Sequence, residues 1–293
     1  MTLTRVFAAV DRFPQDEAVL LRALEIAKRH GAALTIVHVV DLPSDLTLPA
    51  EIDTLQGQAE FAARDSITEA LRRLGADAVE IEIRIEDGSP ALRLIEICDE
   101  LGPDLVVMRA HQRIGIAENI LGSTTDRVIA AGQQPVLIVK RPVQADYSKV
   151  LVATDGKDDA EGSLYFVGNL LPDAALHLVQ VVQIVPQLEE VMLRGGAEKS
   201  DLQAHRDDLA RIARNRLTAI ASLSPFDAKT HVLRGDPAAT LSRASRLAKV
   251  DLIAAGPGRS GLIRRAFLGS VTRRLLRDAA CDVLICRPVE ARD

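Results

Sequence analysis

Between residues 256 and 272 the chain combines closely spaced glycines with hydroxyl residues: Gly256-Pro-Gly258-Arg259-Ser-Gly261, then Gly269-Ser270-Val271-Thr272. An apolar strand pattern precedes this stretch and a helical one follows it. Gly256, Gly258 and Gly261 reach backbone angles that other residues resist, and they leave room for anion oxygens to approach main-chain N–H groups. Gly269-Ser270 opens the helix, whose first N–H groups carry partial positive charge. The chemistry on offer is anion binding, phosphate above all. The same composition also serves as a plain connector, so spacing alone leaves both readings open. Asp155, after an apolar run, reads equally as a site residue and as an N-cap for the next helix, and so does Asp11. Arg264, Arg265, Arg273, Arg274 and Arg277 either draw anions or form a solvated helix face.

Catalytic signatures are missing. The sequence holds no Gly-x4-Gly-Lys-Ser/Thr loop, no Gly-x-Ser-x-Gly elbow and no acidic pair at metal spacing. Turnover of a phosphate would need a positioned base or nucleophile. Cys98, Cys281 and Cys286 are odd in number and lack a CxxC pair, so they read as small core residues. The six histidines are scattered, and no metal site is expected from the protein alone.

The elements that would position the loop follow from periodicity. Val6 to Val10 reads as a strand ending at Asp11. A helix with Val19, Leu20, Ala23, Leu24 and Ala27 inward follows, stopped by Gly31. Leu34 to Val40 is β-branched and makes the second strand. A long helical pattern runs through Ala59, Ala63, Ile67 and Ala70 to Gly75, and Val79, Ile81, Ile83 and Ile85 alternate as strand three. Ser89 and Pro90 suit an N-cap and first helical position, with Ala91, Leu94, Ile95, Cys98 and Leu101 as the buried stripe. Asp104 to Met108 is strand four, a helix begins near Gly122, and Val136 to Val139 is strand five.

The second half repeats this order. Val150 to Asp155 repeats Val6 to Asp11, Gly235-Asp-Pro-Ala238 repeats Gly88-Ser-Pro-Ala91, and Asp251 to Ala255 repeats Asp104 to Met108. Gly269-Ser270 repeats Gly122-Ser123. The segment from Gln183 to Ser200, with Pro186 and Gly195-Gly196, reads as mobile or only partly helical. Strands alternating with helices imply parallel pairing through right-handed crossovers. The expected class is α/β: two tandem Rossmann-like domains, residues 1–143 and 148–289, each an open five-stranded parallel sheet with helices on both faces. Ligands of such sheets bind beyond the carboxyl ends of the strands.

Length and composition agree. The 293 residues are 47% hydrophobic, enough for two filled cores. A formal charge of -5 argues against a nucleic acid or an anionic membrane as partner. No run approaches about 18 apolar residues, and a soluble, cytoplasmic protein without membrane insertion is expected.

On these motifs the whole chain resembles a tandem universal stress protein, two such domains in one polypeptide. The likeness rests on Asp11 and Asp155, the Gly-x-Pro turns at Gly88 and Gly235, the glycine loops, and the closing strands through Lys140 and Arg287. It implies an adenine-nucleotide binder, for ATP or AMP with Mg, that acts in stress-response regulation rather than as an enzyme. The family loop has the form Gly-x2-Gly-x9-Gly-Ser/Thr. Gly256, Gly269 and Ser270 keep its outer spacing, whereas Arg259 falls where the second glycine belongs and Gly258 lies one residue earlier. The resemblance places Ala153, Thr154 and Val182 around the adenine and Asp155 near the ribose or a phosphate-bound Mg. It places Ser270 and Val271 at the phosphates. In the first half Arg109 and Gln112 stand where glycines belong, while Gly115, Gly122 and Ser123 persist. With Val10, Asp11 and Val40 they outline a degenerate site, in which Arg109 could hold a different anion. The alternatives are a carrier or receptor for a lipid-like or nucleotide-sugar ligand, and a ligand-free scaffold. Family members also pair through their last strands, which implies an internal pseudo-dimer of the two domains and a homodimer of chains.

Overall fold

Short β-branched and apolar runs separated by amphipathic helices can bury their faces only by stacking helices on a parallel sheet, and the chain does this twice. The computed structural model describes residues 3–41, 49–76, 79–110, 123–156, 159–247, 249–257 and 269–287. They pack into two compact units that divide between Asp146 and Tyr147.

The first unit contains β1 (Arg5–Ala9), α1 (Glu17–His30), β2 (Ala33–Val40), α2 (Pro49–Leu74) and β3 (Ile81–Asp87), then α3 (Pro90–Leu101), β4 (Leu105–Arg109), α4 (Ser123–Ala131) and β5 (Val136–Val139). Its strands run parallel in the order β3-β2-β1-β4-β5. The second contains β6 (Lys149–Thr154), α5 (Ala160–Leu170), β7 (Ala175–Val182), α6 (Pro186–Arg194) and α7 (Lys199–Leu223), then β8 (Ala228–Arg234), α8 (Pro237–Leu247), β9 (Leu252–Ala255), α9 (Ser270–Asp278) and β10 (Asp282–Ile285). Its order is β8-β7-β6-β9-β10, again parallel. Each is thus the expected five-stranded Rossmann-like sheet, with the direction of winding reversing between β1 and β4, and between β6 and β9.

An aspartate fixes each reversal. Asp104 Oδ2, just before β4, accepts from Thr4 N–H, the Thr4 hydroxyl and Arg5 N–H at 2.7, 2.9 and 3.0 Å. Asp251 Oδ2 does the same for Ser148 N–H, the Ser148 hydroxyl and Lys149 N–H at 3.0, 2.7 and 2.9 Å. One carboxylate thereby meets the donors at the start of the neighbouring strand and sets its register. Tyr147 donates to Asp282 at 2.6 Å, both buried, at the start of the second unit.

Two expectations for α3 are corrected, whereas the segment after β7 is partly helical as expected: α6 takes up Pro186–Arg194, with Pro186 in its first turn, where a missing N–H costs nothing. None of its residues is buried, and Glu189 pairs with Arg206 of α7 at 2.8 Å. Ser89 stands at the N-cap of α3 but its side chain makes no capping bond. The buried stripe of α3 takes in Ile97 and leaves Ile95 half-buried, because a helix starting at Pro90 turns residues 91, 94, 97 and 98 inward. All three cysteines are buried and none forms a disulfide, and burial pushes the Cys98 thiol up to about 12, which makes it unreactive.

Two packing details carry testable consequences. In α5, a Cβ added to Gly168 would lie 2.5 Å from the Phe226 ring, which also meets Tyr165 edge-on at 6.0 Å between centroids. Gly168→Val should cost about 2 kcal/mol from overpacking and lower the melting temperature by roughly 5 °C. An unchanged melting curve would show that Phe226 swings away freely.

On β7 and β8, His177 Nδ1 and His231 Nε2 are 2.9 Å apart. The 5.1 Å between ring centroids is too wide for a face-to-face stack, so the rings meet edge to edge through a shared hydrogen bond. Burial, then His231, Lys149 and Lys229, hold the His177 pKa below its ordinary 6.5. Folding therefore favours neutral His177, and its contribution is present above pH ~6.5 and lost as pH falls through the folded pKa. The unfolding free energy measured between pH 7 and pH 5 should fall, and His177→Gln should flatten that fall.

Candidate functional sites

Strand ends and helix starts converge at the carboxyl edge of the second sheet. Ala153 and Thr154 close β6, Asp155 follows them, and Gly256 follows β9. Ala153 pairs in register with Ala255, so these ends are immediate neighbours. Gly269 N–H donates to the Pro257 carbonyl at 3.0 Å, and the Thr272 hydroxyl donates to the Gly256 carbonyl at 3.0 Å. These bonds tie the first turn of α9 to the end of β9. Gly269, the N-cap of α9, has no side chain of its own with which to cap the helix, so the first N–H groups of α9, around Ser270 and Val271, bring partial positive charge to the strand ends. Asp155 is exposed beside them.

Val182 closes β7, but its side chain is buried against Ala210 and Ala213 of α7. Only its backbone borders the edge, and its carbonyl accepts from Gly235 N–H at 3.1 Å. The Gly-x-Pro turns thus have a structural task, since Gly88 N–H meets the Val40 carbonyl in the same way at 3.0 Å. Gly258, Arg259 and Gly261 lie outside the described residues, as do Arg264 and Arg265. Arg274 pairs with Asp236 and Asp278, each at 3.3 Å, and Arg277 pairs with Asp278 at 2.8 Å. Those two arginines belong to a solvated helix face.

In the first unit Val10, Asp11, Val40 and Arg109 occupy the corresponding strand ends, and Ser123 opens α4. Gln112, Gly115 and Gly122 lie outside the described residues. The Arg109 carbonyl accepts from the Thr125 hydroxyl at 3.4 Å, matching Gly256 with Thr272. Arg109 therefore stands where the second unit has Gly256. Its guanidinium reaches back over β1 to Asp16, with Nη1 3.7 Å from Oδ1.

Asp16 was not legible as a site residue. Its other oxygen accepts from Asp11 and Arg12 N–H at 2.7 and 3.1 Å, while the residue is only 1% exposed. These bonds correct the capping assignment: Asp16 and Asp159, not Asp11 and Asp155, stand at the N-caps of α1 and α5. Each N-cap thus lies further along the chain than the aspartate that ends the strand. Asp159 caps conventionally, accepting from Gly162 N–H at 2.8 Å. In the first unit the strand-end amides therefore already hold a carboxylate. Beside them a cavity of about 420 Å³ opens between Asp11, Arg12, His38 and the alanine face of α2. His38 Nδ1 donates to the Val10 carbonyl at 3.1 Å.

Sequence reading also missed Thr125 and Thr272, although Gly122-Ser-Thr-Thr125 and Gly269-Ser-Val-Thr272 repeat the threonine three residues after the glycine. It gave no sign either that Arg216 of α7 and Gln180 of β7 approach Gly156, a contact between distant segments. Among the described residues, no group of three His, Cys, Asp or Glu could hold a metal ion. No described helix is long and apolar enough to cross a membrane.

A doubly wound sheet with a glycine-bearing, uncapped helix start at its winding reversal defines the class of Rossmann-like α/β proteins whose strand ends bind small ligands. Comparison narrows the class. The model of the universal stress protein family matches residues 2–140 and again 146–287, so the chain belongs to the universal stress protein family, as two tandem copies. A universal stress protein of Methanocaldococcus jannaschii is 32% identical over 127 residues, covering 41% of this chain and 72% of that protein. One from Mycobacterium tuberculosis is 23% identical over 279 residues, covering 90% of this chain and 92% of its own. The crystal structure of a universal stress protein from Archaeoglobus fulgidus shares the fold, with a TM-score of 0.67 at 18% identity over 96% of each chain.

The Asp16 arrangement is testable by comparing two variants in urea. Asp16→Ala leaves two strand-end amides without their acceptor and should cost about 2 kcal/mol. Asp16→Asn keeps an acceptor oxygen and should stay within ~1 kcal/mol of the native protein, because the attraction to half-exposed Arg109 is screened. Equal losses in the two variants would show that charge, not acceptance from the amides, is what matters.

Proposed function

We propose that the second domain, residues 148–289, binds an adenine nucleotide without turning it over, and that occupancy regulates the protein in a stress response. The observation that carries this reading is the uncapped start of α9, tied by Thr272 to Gly256 at the end of β9. In this reading Gly256, Gly258, Arg259, Gly261, Gly269, Ser270 and Val271 receive the phosphates of ATP or AMP. Ala153, Thr154 and the backbone of Val182 border the adenine, and Asp155 serves the ribose or a Mg ion carried by the nucleotide. Binding without turnover is read from the sequence, which holds no Gly-x4-Gly-Lys-Ser/Thr loop and no Gly-x-Ser-x-Gly elbow.

The first domain, residues 1–143, is read as closed to phosphates. Arg109 replaces the glycine through which a phosphate would approach the backbone, and Asp16 already occupies the Asp11 and Arg12 amides. The cavity beside Asp11 and His38 favours a second reading for this domain, as a carrier site for a ligand without a phosphate.

Native mass spectrometry with Mg-ATP tests the proposal. One nucleotide per chain is expected, lost in Gly269→Arg and recovered unhydrolysed after incubation. Two per chain would overturn the reading of Arg109 and Asp16. No binding at any concentration would overturn the nucleotide assignment, and a different co-purified mass would favour the carrier.

A further inference from the structure

The two halves of the chain carry opposite charge at matching places on their helices. Pro90 begins α3 and Pro237 begins α8, so Glu96 corresponds to Arg243 and Asp99 to Arg246. Ser123 begins α4 and Ser270 begins α9, which matches Asp126 with Arg273. Three acids of the first unit are therefore arginines in the second. Over their full lengths α3 and α4 hold two arginines and four acids, a net charge of -2, whereas α8 and α9 hold five arginines and one aspartate, a net charge of +4. In a chain whose formal charge is -5, such a basic face stands out. Glu96, Asp99, Arg243, Arg246 and Arg273 are all exposed. Spacings of three and four residues bring Leu92, Glu96 and Asp99 to one face of α3, and Arg243, Arg246 and Leu247 to one face of α8. Both leucines are exposed. Within the units Glu96 pairs with Arg93 at 2.7 Å and Arg246 donates to the Asp278 carbonyl at 2.9 Å, contacts between exposed groups that leave the net charge of each face in place.

When a charged surface meets a second copy of itself about a twofold axis, it faces charge of its own sign, and the contact is repelled. Inverting the matching positions turns that repulsion into attraction. We propose that the α3–α4 face of one chain docks on the α8–α9 face of a second copy of this chain, with Glu96 and Asp99 on one side and Arg243, Arg246 and Arg273 on the other. A second copy is the partner because it presents, on the same pair of packed helices, the charges that each face lacks. Leu92 and Leu247 lie among these charges and supply apolar contact inside a charged rim. Charge drawn from exposed side chains steers encounter and fixes orientation, and salt weakens it. The docking does not depend on what either crevice binds.

Sedimentation velocity of the full chain tests this, at ionic strengths of about 0.05 M and about 0.5 M. The native chain should self-associate at low salt, with a dissociation constant that rises about tenfold or more at high salt. Two double variants, Arg243→Glu with Arg246→Glu and Glu96→Arg with Asp99→Arg, should each weaken association about tenfold or more at low salt. An equimolar mixture of the two should associate again, because one then offers an acidic face and the other a basic one. Circular dichroism checks that both variants are folded, and recovery in the mixture cannot come from misfolded chains. A native chain that stays monomeric at low salt overturns the inference. So does association that ignores both salt and the reversals, which would belong to another surface, and so does a mixture that fails to associate.

Discussion

The structure depends on holding side by side two strands that are far apart in sequence. β1 and β4, like β6 and β9, can pair only after a crossover has passed over the sheet, and the entropy of closing so long a loop opposes them. Asp104 and Asp251 offset that cost at one point each, by collecting three donors from the start of the neighbouring strand on a single carboxylate oxygen. Once that end is pinned, the apolar ladder fixes the rest, and at the opposite end the two strands leave a crevice of the kind in which sheets of this type bind ligands. The candidate site is a by-product of the pairing that makes the fold.

Within that frame the two copies have diverged in the way they satisfy the crevice. The first fills it from its own chain: Asp16 supplies an anion to the strand-end amides and Arg109 supplies a cation to Asp16. The second leaves α9 uncapped and Gly156 bare, and brings Arg216 across from another helix. A carboxylate from inside the protein and a phosphate from outside are, to a backbone N–H, much the same partner.

Much of the fold was legible because its signals are local and doubled. Strand runs such as Leu34 to Val40, stops such as Gly31 and the repeated Asp-Leu start of β4 and β9 each specify an element, and the repetition confirms the assignment. Backbone placements were equally legible: Gly256 follows β9 and Gly269-Ser270 opens α9, as the pattern gave. Asp16, Gln180 and Arg216 were hidden for a common reason. Each makes its contact through a side chain whose partner is chosen by packing, and a polar residue in a helix or strand looks the same in sequence whether it faces water or a strand end. Asp11 and Asp155 show the reverse error, since an aspartate between strand and helix suggests a cap, while the N-cap of each helix lies further along the chain.

Fusion of two copies has a consequence for how such a protein can change. In a universal stress protein built from separate identical chains, a substitution in the crevice appears in every copy at once, because one gene specifies both halves of a symmetric assembly. In the tandem chain the arginine at 109 and the glycine at 256 are separate letters of one message. One crevice can be sealed, or turned to a new ligand, while its twin keeps the older task.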